Sequence, residues 1–156
     1  MIERCEDLGA MLEVINDAAV AYRGVIPADR WKEPYMPLEE LRDEIAAGVA
    51  FWGWRGPERL EGVMGLQHVA DVALIRHAYT RTAAQSRGIG SALLDTLKRQ
   101  TDRGLLVGTW KAAGWAIAFY QRRGFTLVSE QEKARLLKRY WNIPERQIEE
   151  SVVLAS

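Results

Sequence analysis

The most informative segment of the chain is Gln85-Ser86-Arg87-Gly88-Ile89-Gly90-Ser91-Ala92-Leu93-Leu94. Strand-like residues from Val72 to Thr80 precede it, and the leucines that follow recur at helical spacing, so the segment is a turn from a strand into a helix. Gly88 and Gly90 let the backbone turn tightly and approach a ligand closely. Free N–H groups at a helix start, together with the helix dipole, form a site suited to phosphate. The segment therefore predicts an anion-binding turn, with Arg87 adding positive charge at its rim.

Two well-known phosphate-binding patterns do not fit this turn. A P-loop requires Lys and then Ser or Thr after its last glycine, whereas Ser91 and Ala92 follow here. A dinucleotide-binding fingerprint requires a third Gly or Ala where this chain has Leu93, and it needs a longer doubly wound sheet. A Gly-x-Gly turn before a helix is weak evidence for a ligand when it stands alone.

Hydrophobic spacing upstream of the turn predicts two helices and three strands. The helices are expected at Leu8–Tyr22 and Leu38–Gly48, and the strands at Val49–Trp54, Leu60–Val69 and Val72–Thr80. The segment Arg23–Pro37 between the helices is a loop, because glycine and prolines interrupt it. Its aromatic residues Trp31 and Tyr35 either pack on the core or line a substrate site.

Helices and short strands alternate downstream of the turn. We expect helices at Gly90–Arg103, Trp115–Arg123 and Glu132–Trp141, strands at Leu105–Trp110 and Phe125–Val128, and a closing edge strand at Gln147–Leu154. Gly104 and Gly124 are expected to end the first two of these helices. These elements predict one mixed α/β domain over residues 1–156.

The composition excludes several classes of protein. The 156 residues contain 21 Lys and Arg and 21 Asp and Glu, so no net charge attracts nucleic acid or anionic lipid. Cys5 is the single cysteine and His68 and His77 are the only histidines, which predicts no disulfide and no metal site. The longest apolar stretch, 46–54, is too short to cross a membrane, and the acidic N-terminus is unlike a secretory signal. We expect a cytoplasmic protein.

A second motif, downstream of the turn, supports a ligand-binding role for it. The turn Gln85-Ser86-Arg87-Gly88-Ile89-Gly90 resembles the Gln/Arg-x-x-Gly-x-Gly/Ala loop of the GNAT superfamily of acetyl-CoA-dependent N-acetyltransferases. Downstream, the segment Ala116-Ile117-Ala118-Phe119-Tyr120-Gln121-Arg122-Arg123-Gly124-Phe125 is similar to that family's Ala-x-x-Phe-Tyr-x-x-x-Gly-Phe segment. The order of elements over nearly the whole chain also resembles this fold. The resemblance implies a central, mostly antiparallel sheet with a splayed pair of strands, flanked by helices.

The resemblance also implies a site for acetyl-CoA. Its cofactor-binding residues would be Ala78, Tyr79, Thr80, Gln85, Ser86, Arg87, Gly88, Ile89, Gly90, Ser91 and Phe119. Backbone amides of the turn would hold the pyrophosphate of coenzyme A. Backbone groups of residues 78–80 would pair with the pantetheine arm and polarise the acetyl carbonyl. An amide aimed at the developing oxyanion lowers such a barrier by roughly 3–4 kcal/mol.

The same resemblance makes Tyr120 the general acid that protonates the departing thiolate, although a buried packing residue is the alternative. The family often carries Asn where this chain has Ala113, so one contact to the pantetheine arm is missing. In the family, Glu or His often serves as the base at the positions that Leu74 and Arg76 occupy in this chain. Neither the Leu74 nor the Arg76 side chain can usefully accept a proton. The base is therefore open.

The candidates for that base are His77, water chains ending on Glu33, Glu61 or Glu130, and desolvation of the amine. Strand alternation would point His77 away from the face of Arg76 unless a bulge re-aims it.

These residues together predict transfer of acetyl from acetyl-CoA to a primary amine by direct attack, with no metal and no covalent enzyme intermediate. A small-molecule amine is favoured over a protein amine. The rivals are a non-catalytic acyl-CoA-binding module and a nucleotide-binding domain of another class. The remaining tryptophans, Trp52, Trp54, Trp110 and Trp141, are expected in the core rather than around a ligand, although Trp110 ends its strand where such sheets usually bind ligands. The acids Glu39, Glu40, Asp43 and Glu44 are expected on a solvated helix face; the alternative, that some of them line the acceptor groove, would favour a cationic amine. The last strand or an aromatic patch is a candidate homodimer interface.

Overall fold

Helices and strands follow one another along the chain largely as the sequence patterns predict. The computed structural model describes residues 1–156. Its strands are β1 (Ile2–Cys5), β2 (Ala50–Arg55), β3 (Leu60–Val69), β4 (Val72–Thr80), β5 (Gly104–Trp110), β6 (Thr126–Leu127) and β7 (Ser151–Ala155). Its helices are α1 (Leu8–Ala19), α2 (Leu38–Ala46), α3 (Ile89–Arg99), α4 (Gly114–Gln121), α5 (Glu130–Tyr140) and α6 (Glu145–Glu149). No helix is long and apolar enough to span a bilayer.

All strands belong to one sheet, in the order β1-β2-β3-β4-β5-β7-β6. The pair β4–β5 is parallel and every other neighbouring pair is antiparallel. Helix α3 packs on one face through Leu93, Leu94 and Leu97, while α1, α2 and α5 cover the other face. The predicted mixed sheet, mostly antiparallel and flanked by helices, is confirmed.

Strands β4 and β5 separate halfway along their length. Their pairing runs from Val72 opposite Gly104 to Ile75 opposite Val107 and then stops. Beyond that point β4 continues to Thr80 with β3 as its partner, and β5 continues to Trp110 with β7 as its partner. The two inner edges therefore diverge and leave an opening in the middle of the sheet, which is the predicted splayed pair.

A β-bulge interrupts β4 where this opening begins. Gly65 of β3 pairs with Arg76, but Val63 pairs with Tyr79, so a single β3 residue lies opposite two residues of β4. His77 takes a left-handed backbone conformation with φ 52°. The bulge turns the His77 side chain to the same face as Arg76, which simple strand alternation would not do.

Three predictions about individual helices and strands were wrong, of which the first two concern β1 and α3. The sequence analysis assigned no strand to the first residues, yet β1 pairs along its whole length with β2. Four residues are too few to show a period of their own, and their pairing partner lies far along the chain. Helix α3 ends at Arg99 instead of Arg103, because Thr101 accepts a hydrogen bond from the backbone N–H of Arg103 and closes a turn before β5.

The last segment also differs from its prediction as an edge strand. Residues 145–149 form the short helix α6, which starts directly after Pro144. Strand β7 lies inside the sheet, paired with β5 on one side and β6 on the other. Its residues Val153 and Leu154 are fully buried, one on each face of the sheet. The edges of the sheet are β1 and β6.

Candidate active site

The opening between β4 and β5 is the mouth of a cavity of about 580 Å³. It runs along the splayed strands, the turn before α3 and the inner side of α4. The predicted site residues that line it are Ala78, Tyr79, Thr80, Gln85, Ser86, Gly88, Ile89, Gly90, Ser91, Phe119 and Tyr120. The structure thus brings together in one cavity two motifs that are separated in sequence by a helix and a strand.

The backbone of the turn is arranged to receive an anion. The N–H groups of residues 86–91 donate no hydrogen bond to any acceptor within the protein. Ser86 and Gly88 have positive φ angles of 67° and 79°, and no side chain caps the first turn of α3. Left-handed residues alternating with right-handed ones point successive N–H groups into one concavity, the geometry that binds phosphate in proteins.

Arg87, which was expected to add positive charge at the rim, is not among the residues that line the cavity, while two other arginines are. The Arg87 guanidinium is mostly exposed and lies 3.7 Å from the Glu61 carboxylate, and Arg87 does not line the cavity. Arg122 and Arg123, at the end of the second motif, line it instead. Arg123 lies over the Phe119 ring, 3.9 Å from its centre, and donates a hydrogen bond of 2.9 Å to the Phe119 carbonyl.

Gly90 is required by a close approach. A Cβ atom at this position would lie 3.2 and 3.3 Å from two ring carbons of Phe119. A side chain at residue 90 would therefore push the Phe119 ring by a few tenths of an ångström. This contact packs the first motif against the second.

Tyr120 lies at the centre of the cavity wall. Its ring is 5% exposed and packs edge-on between Phe119 and Phe125, with ring centres 5.0 and 5.4 Å away. Its hydroxyl makes no hydrogen bond within the protein although the residue lines the cavity. Burial raises the pKa of Tyr120 well above its usual range, so the phenol stays protonated. The residue is part of the core and at the same time offers a free donor to the cavity.

The β4 bulge brings a polar cluster to the opposite side of the cavity. Arg76 Nη2 lies 3.2 Å and His77 Nε2 lies 3.3 Å from the same carboxylate oxygen of Glu44, on α2. The expectation that Glu44 is solvated was wrong, since its side chain is only 19% exposed. Burial by itself would raise the pKa of Glu44, but the neighbouring His77, Arg76 and Lys32 outweigh it and hold that pKa below its ordinary value.

A row of aromatic rings forms the wall beside this cluster. Tyr22 packs against Trp115, with ring centres 5.2 Å apart, and against Tyr79 at 6.1 Å. Tyr79 in turn packs against Tyr35 at 6.1 Å and donates a hydrogen bond of 3.0 Å to its hydroxyl. All four residues line the cavity. Burial raises the pKa of Tyr22 to about 12, so these phenols are neutral at physiological pH.

The two aromatics of the 23–37 loop differ in their positions. Tyr35 lines the cavity, whereas Trp31 stacks on its outer side at 5.8 Å. Trp110 and Trp141, which were expected in the core, also line the cavity.

The acids that the sequence offered as endpoints for a water chain lie elsewhere. Glu33 is exposed and pairs with Arg23 and the Trp31 indole. Glu130 is exposed and lies 2.6 Å from Lys133, while Glu61 faces Arg87. None of the three lines the cavity, and neither does any other Asp or Glu. Of the residues that are candidates for the base, only His77 lines the cavity.

Comparison with known families decides the identity of this site. A family model described as the acetyltransferase (GNAT) domain matches residues 43–127, which include both motifs, the splayed strands and α4. The match covers more than half of the chain. This protein is a member of the GNAT acetyltransferase family.

Solved structures of GNAT acetyltransferases share the fold. The PaiA N-acetyltransferase from Thermoplasma acidophilum, solved with coenzyme A, superimposes with a TM-score of 0.71 at 19% identity over 100% of this chain and 98% of that one. An acetyltransferase from Streptococcus agalactiae gives a TM-score of 0.74 at 17% identity over 100% and 96%. A ribosomal-protein-alanine N-acetyltransferase from Brucella melitensis gives 0.66 at 15% identity over 100% and 98%. Among curated proteins, none matches the chain.

In this GNAT acetyltransferase, sequence motifs located the side of the cavity formed by the turn before α3 and by α4 better than the side next to α2 and the 23–37 loop. The residues that sequence reasoning missed are Glu44, Arg122, Arg123, Tyr22 and Trp115. Arg122 and Arg123 stood inside a recognised motif, so their place could have been inferred from it. Tyr22 and Glu44 reach the site from helices with no motif, and only the tertiary arrangement reveals them.

Proposed function

We propose that this GNAT acetyltransferase moves an acetyl group from acetyl-CoA to the primary amine of a small molecule by direct attack of the amine on the thioester. The observation that carries the proposal is the set of free backbone N–H groups at residues 86–91, which faces the opening between β4 and β5. The three buried clusters of the chain pack on one shared sheet, which supports a single catalytic domain over residues 1–156.

Acetyl-CoA would enter the opening with its pyrophosphate on the turn. The amides of residues 86–91 would donate to phosphate oxygens, and Arg122 and Arg123 would add positive charge beside them. The β5-facing edge of residues 76–80 has no strand partner. Its backbone groups are available to the pantetheine arm and to the acetyl carbonyl, where an aimed amide lowers the barrier by roughly 3–4 kcal/mol.

Tyr120 would act on the leaving group as a hydrogen-bond donor. Its free hydroxyl lines the cavity, and its raised pKa keeps the proton on the oxygen. Because a thiol has a pKa of about 8.5, a phenol with a raised pKa holds its proton more tightly than the thiolate does. Tyr120 therefore stabilises the developing thiolate mainly by the hydrogen bond, and complete transfer costs more than for an ordinary tyrosine.

The lining of the cavity indicates the acceptor. A narrow opening walled by Tyr22, Tyr35, Tyr79 and Trp115 suits a small molecule better than a folded protein surface. No carboxylate lines the cavity, and Glu44, which contacts the lining residue His77, is already paired with Arg76 and His77. A second ammonium group on the acceptor would therefore be buried without a free counter-ion. We therefore propose a monoamine with an apolar or aromatic body.

A thiol-release assay tests this function. Purified protein with acetyl-CoA and a panel of amines should release coenzyme A faster with arylalkylamines than with spermidine or with an N-terminal peptide. Release should equal the amount of N-acetyl product found by mass spectrometry. Tight binding of acetyl-CoA without turnover of any amine would instead identify an acyl-CoA-binding module.

A further inference from the structure

The β4 bulge gives one side chain an unusual backbone position at the cavity. His77 has a φ of 52°, a conformation that costs free energy for a residue with a Cβ atom. Histidine is one of the residues that tolerates this region better than most. Backbone strain of this kind persists only where the surroundings hold it and is concentrated at functional sites. The strained conformation places the imidazole at the cavity wall, whereas a regular strand would have pointed it at α3.

The His77 ring is held on two sides. It stacks on Phe51 with ring centres 6.2 Å apart and an angle of 25° between the planes. Its Nε2 atom is buried and faces the Glu44 carboxylate at 3.3 Å, although the N–H direction falls short of good hydrogen-bond geometry. Only 14% of the side chain is exposed. The ring therefore has one orientation, fixed by packing and by charge.

The Glu44 carboxylate determines which ring nitrogen of His77 has a free lone pair. Arg76 and Lys32 favour the ionised form of Glu44, and an ionised carboxylate can only accept a hydrogen bond. We assign the ring proton to Nε2, which faces this carboxylate at 3.3 Å, and the assignment leaves Nδ1 as the atom with a free lone pair. Nδ1 makes no hydrogen bond within the protein, and His77 lines the cavity.

We propose that His77, oriented by Glu44, is the base that takes the proton from the attacking amine. The assignment rests on the acetyl transfer proposed above. His77 is the catalytic residue in this pair, and Glu44 is a positioning residue that also stabilises the imidazolium.

A neutral amine attacks the thioester carbon, a C–N bond forms, and the nitrogen becomes positively charged. His77 Nδ1 takes one proton from that nitrogen, the carbonyl re-forms, and the C–S bond breaks with its electron pair on sulfur. The thiolate takes one proton from water to give coenzyme A, and the imidazolium returns its proton to water, so the solvent neither gains nor loses a proton. An acceptor that arrives as an ammonium ion releases one further proton to solvent before the attack.

The groups around His77 determine how pH acts on the step. Glu44 and Glu40 on α2 are negative, Arg76 on β4 and Lys32 in the loop are positive, and Tyr35 is neutral because burial raises its pKa. Glu44 is the negative group in contact with the ring. Its carboxylate stabilises the imidazolium that forms when the ring takes a proton from the amine.

Three variants test the assignment. His77→Asn retains a residue that tolerates the left-handed conformation but removes the proton acceptor. We expect it to lower kcat by 100-fold or more with unchanged affinity for acetyl-CoA, and added imidazole should restore part of the rate. Glu44→Gln should lower kcat less and move the acidic limb of the pH–rate profile to lower pH. The control is His68→Asn, because His68 is exposed and bonds Thr101 outside the cavity.

A second readout does not depend on activity. The chain has two histidines, so the ring nitrogen resonances of both can be followed in one NMR spectrum. Glu44→Gln should change the ring nitrogen shifts of His77 and leave those of His68 in place. Full activity of His77→Asn, or unchanged His77 ring shifts and an unchanged pH profile in Glu44→Gln, would overturn the assignment. Failure of the wild-type protein to acetylate any amine would overturn the proposed function and, with it, the catalytic role of His77, whatever the spectra show.

Discussion

Replacing Tyr120 with Phe removes a single hydroxyl from the cavity wall. That hydroxyl has no hydrogen-bond partner within the protein, so the fold loses no bond, and the ring keeps its contacts with Phe119 and Phe125. The free energy of unfolding should change by no more than about 0.5 kcal/mol. What the variant loses is a hydrogen bond to the developing thiolate, and hydrogen bonds to charged groups contribute about 1.5–3 kcal/mol. At about 1.4 kcal/mol per tenfold in rate, kcat should fall roughly 10- to 150-fold.

The assay follows coenzyme A release at saturating amine and acetyl-CoA, with the affinity for acetyl-CoA measured separately by calorimetry. That affinity should stay nearly constant, since the hydroxyl is needed only as the C–S bond breaks. Tyr140→Phe is the matched control, because it removes a buried tyrosine's hydroxyl, bonded to Asp71 at 2.6 Å, that lies away from the cavity. A kcat for Tyr120→Phe within twofold of the wild type would refute the role of Tyr120.

Three further predictions follow from other parts of the structure. Gly90→Val should weaken acetyl-CoA binding at least tenfold by calorimetry, because a Cβ atom already lies 3.2 Å from Phe119; unchanged affinity would contradict the role of the turn. Arg81→Met should lower the free energy of unfolding by about 1–3 kcal/mol in urea, since it leaves the Leu60 carbonyl without the 2.7 Å hydrogen bond from this buried guanidinium. The pKa of Glu44 is lowered in the folded state, so its contribution to stability is complete above its ordinary pKa of about 4.3 and is lost as pH falls through the lowered value. The free energy of unfolding of the wild type should therefore fall more steeply than that of Glu44→Gln as the pH is lowered from 5 to 3. Parallel plots of the free energy of unfolding against pH would contradict this.

Local patterns predicted the sheet and the turn before α3 well. The bounds of β4 were predicted as they are found, because the apolar run Val72–Ile75 and the residues that follow it to Thr80 have the character of a strand. The turn before α3 was predicted from its two glycines, and its free amides follow from the geometry of any uncapped helix start. Both depend on residues that are close together in sequence.

The acceptor end could not be predicted in the same way. The bulge at His77 depends on how β3 and β4 pair, and strand alternation alone pointed this residue to the wrong face. Glu44 carries the pattern of an exposed helix residue, and only its contacts with Arg76 and His77 show otherwise. Arg87 stands beside the right glycines, yet its long side chain turns to Glu61. In each case a contact with a residue distant in sequence determines where the side chain lies.

The central claim is that the turn before α3 holds the diphosphate of coenzyme A. Amide NMR spectra recorded with and without coenzyme A test it directly, because the N–H groups of residues 86–91 have no partner within the protein. On addition of coenzyme A, these amide protons should move downfield and become protected from exchange with solvent, while those of the hairpin turn at residues 56–59 stay unchanged. Binding of coenzyme A that leaves the amides of residues 86–91 unshifted and unprotected would contradict the claim.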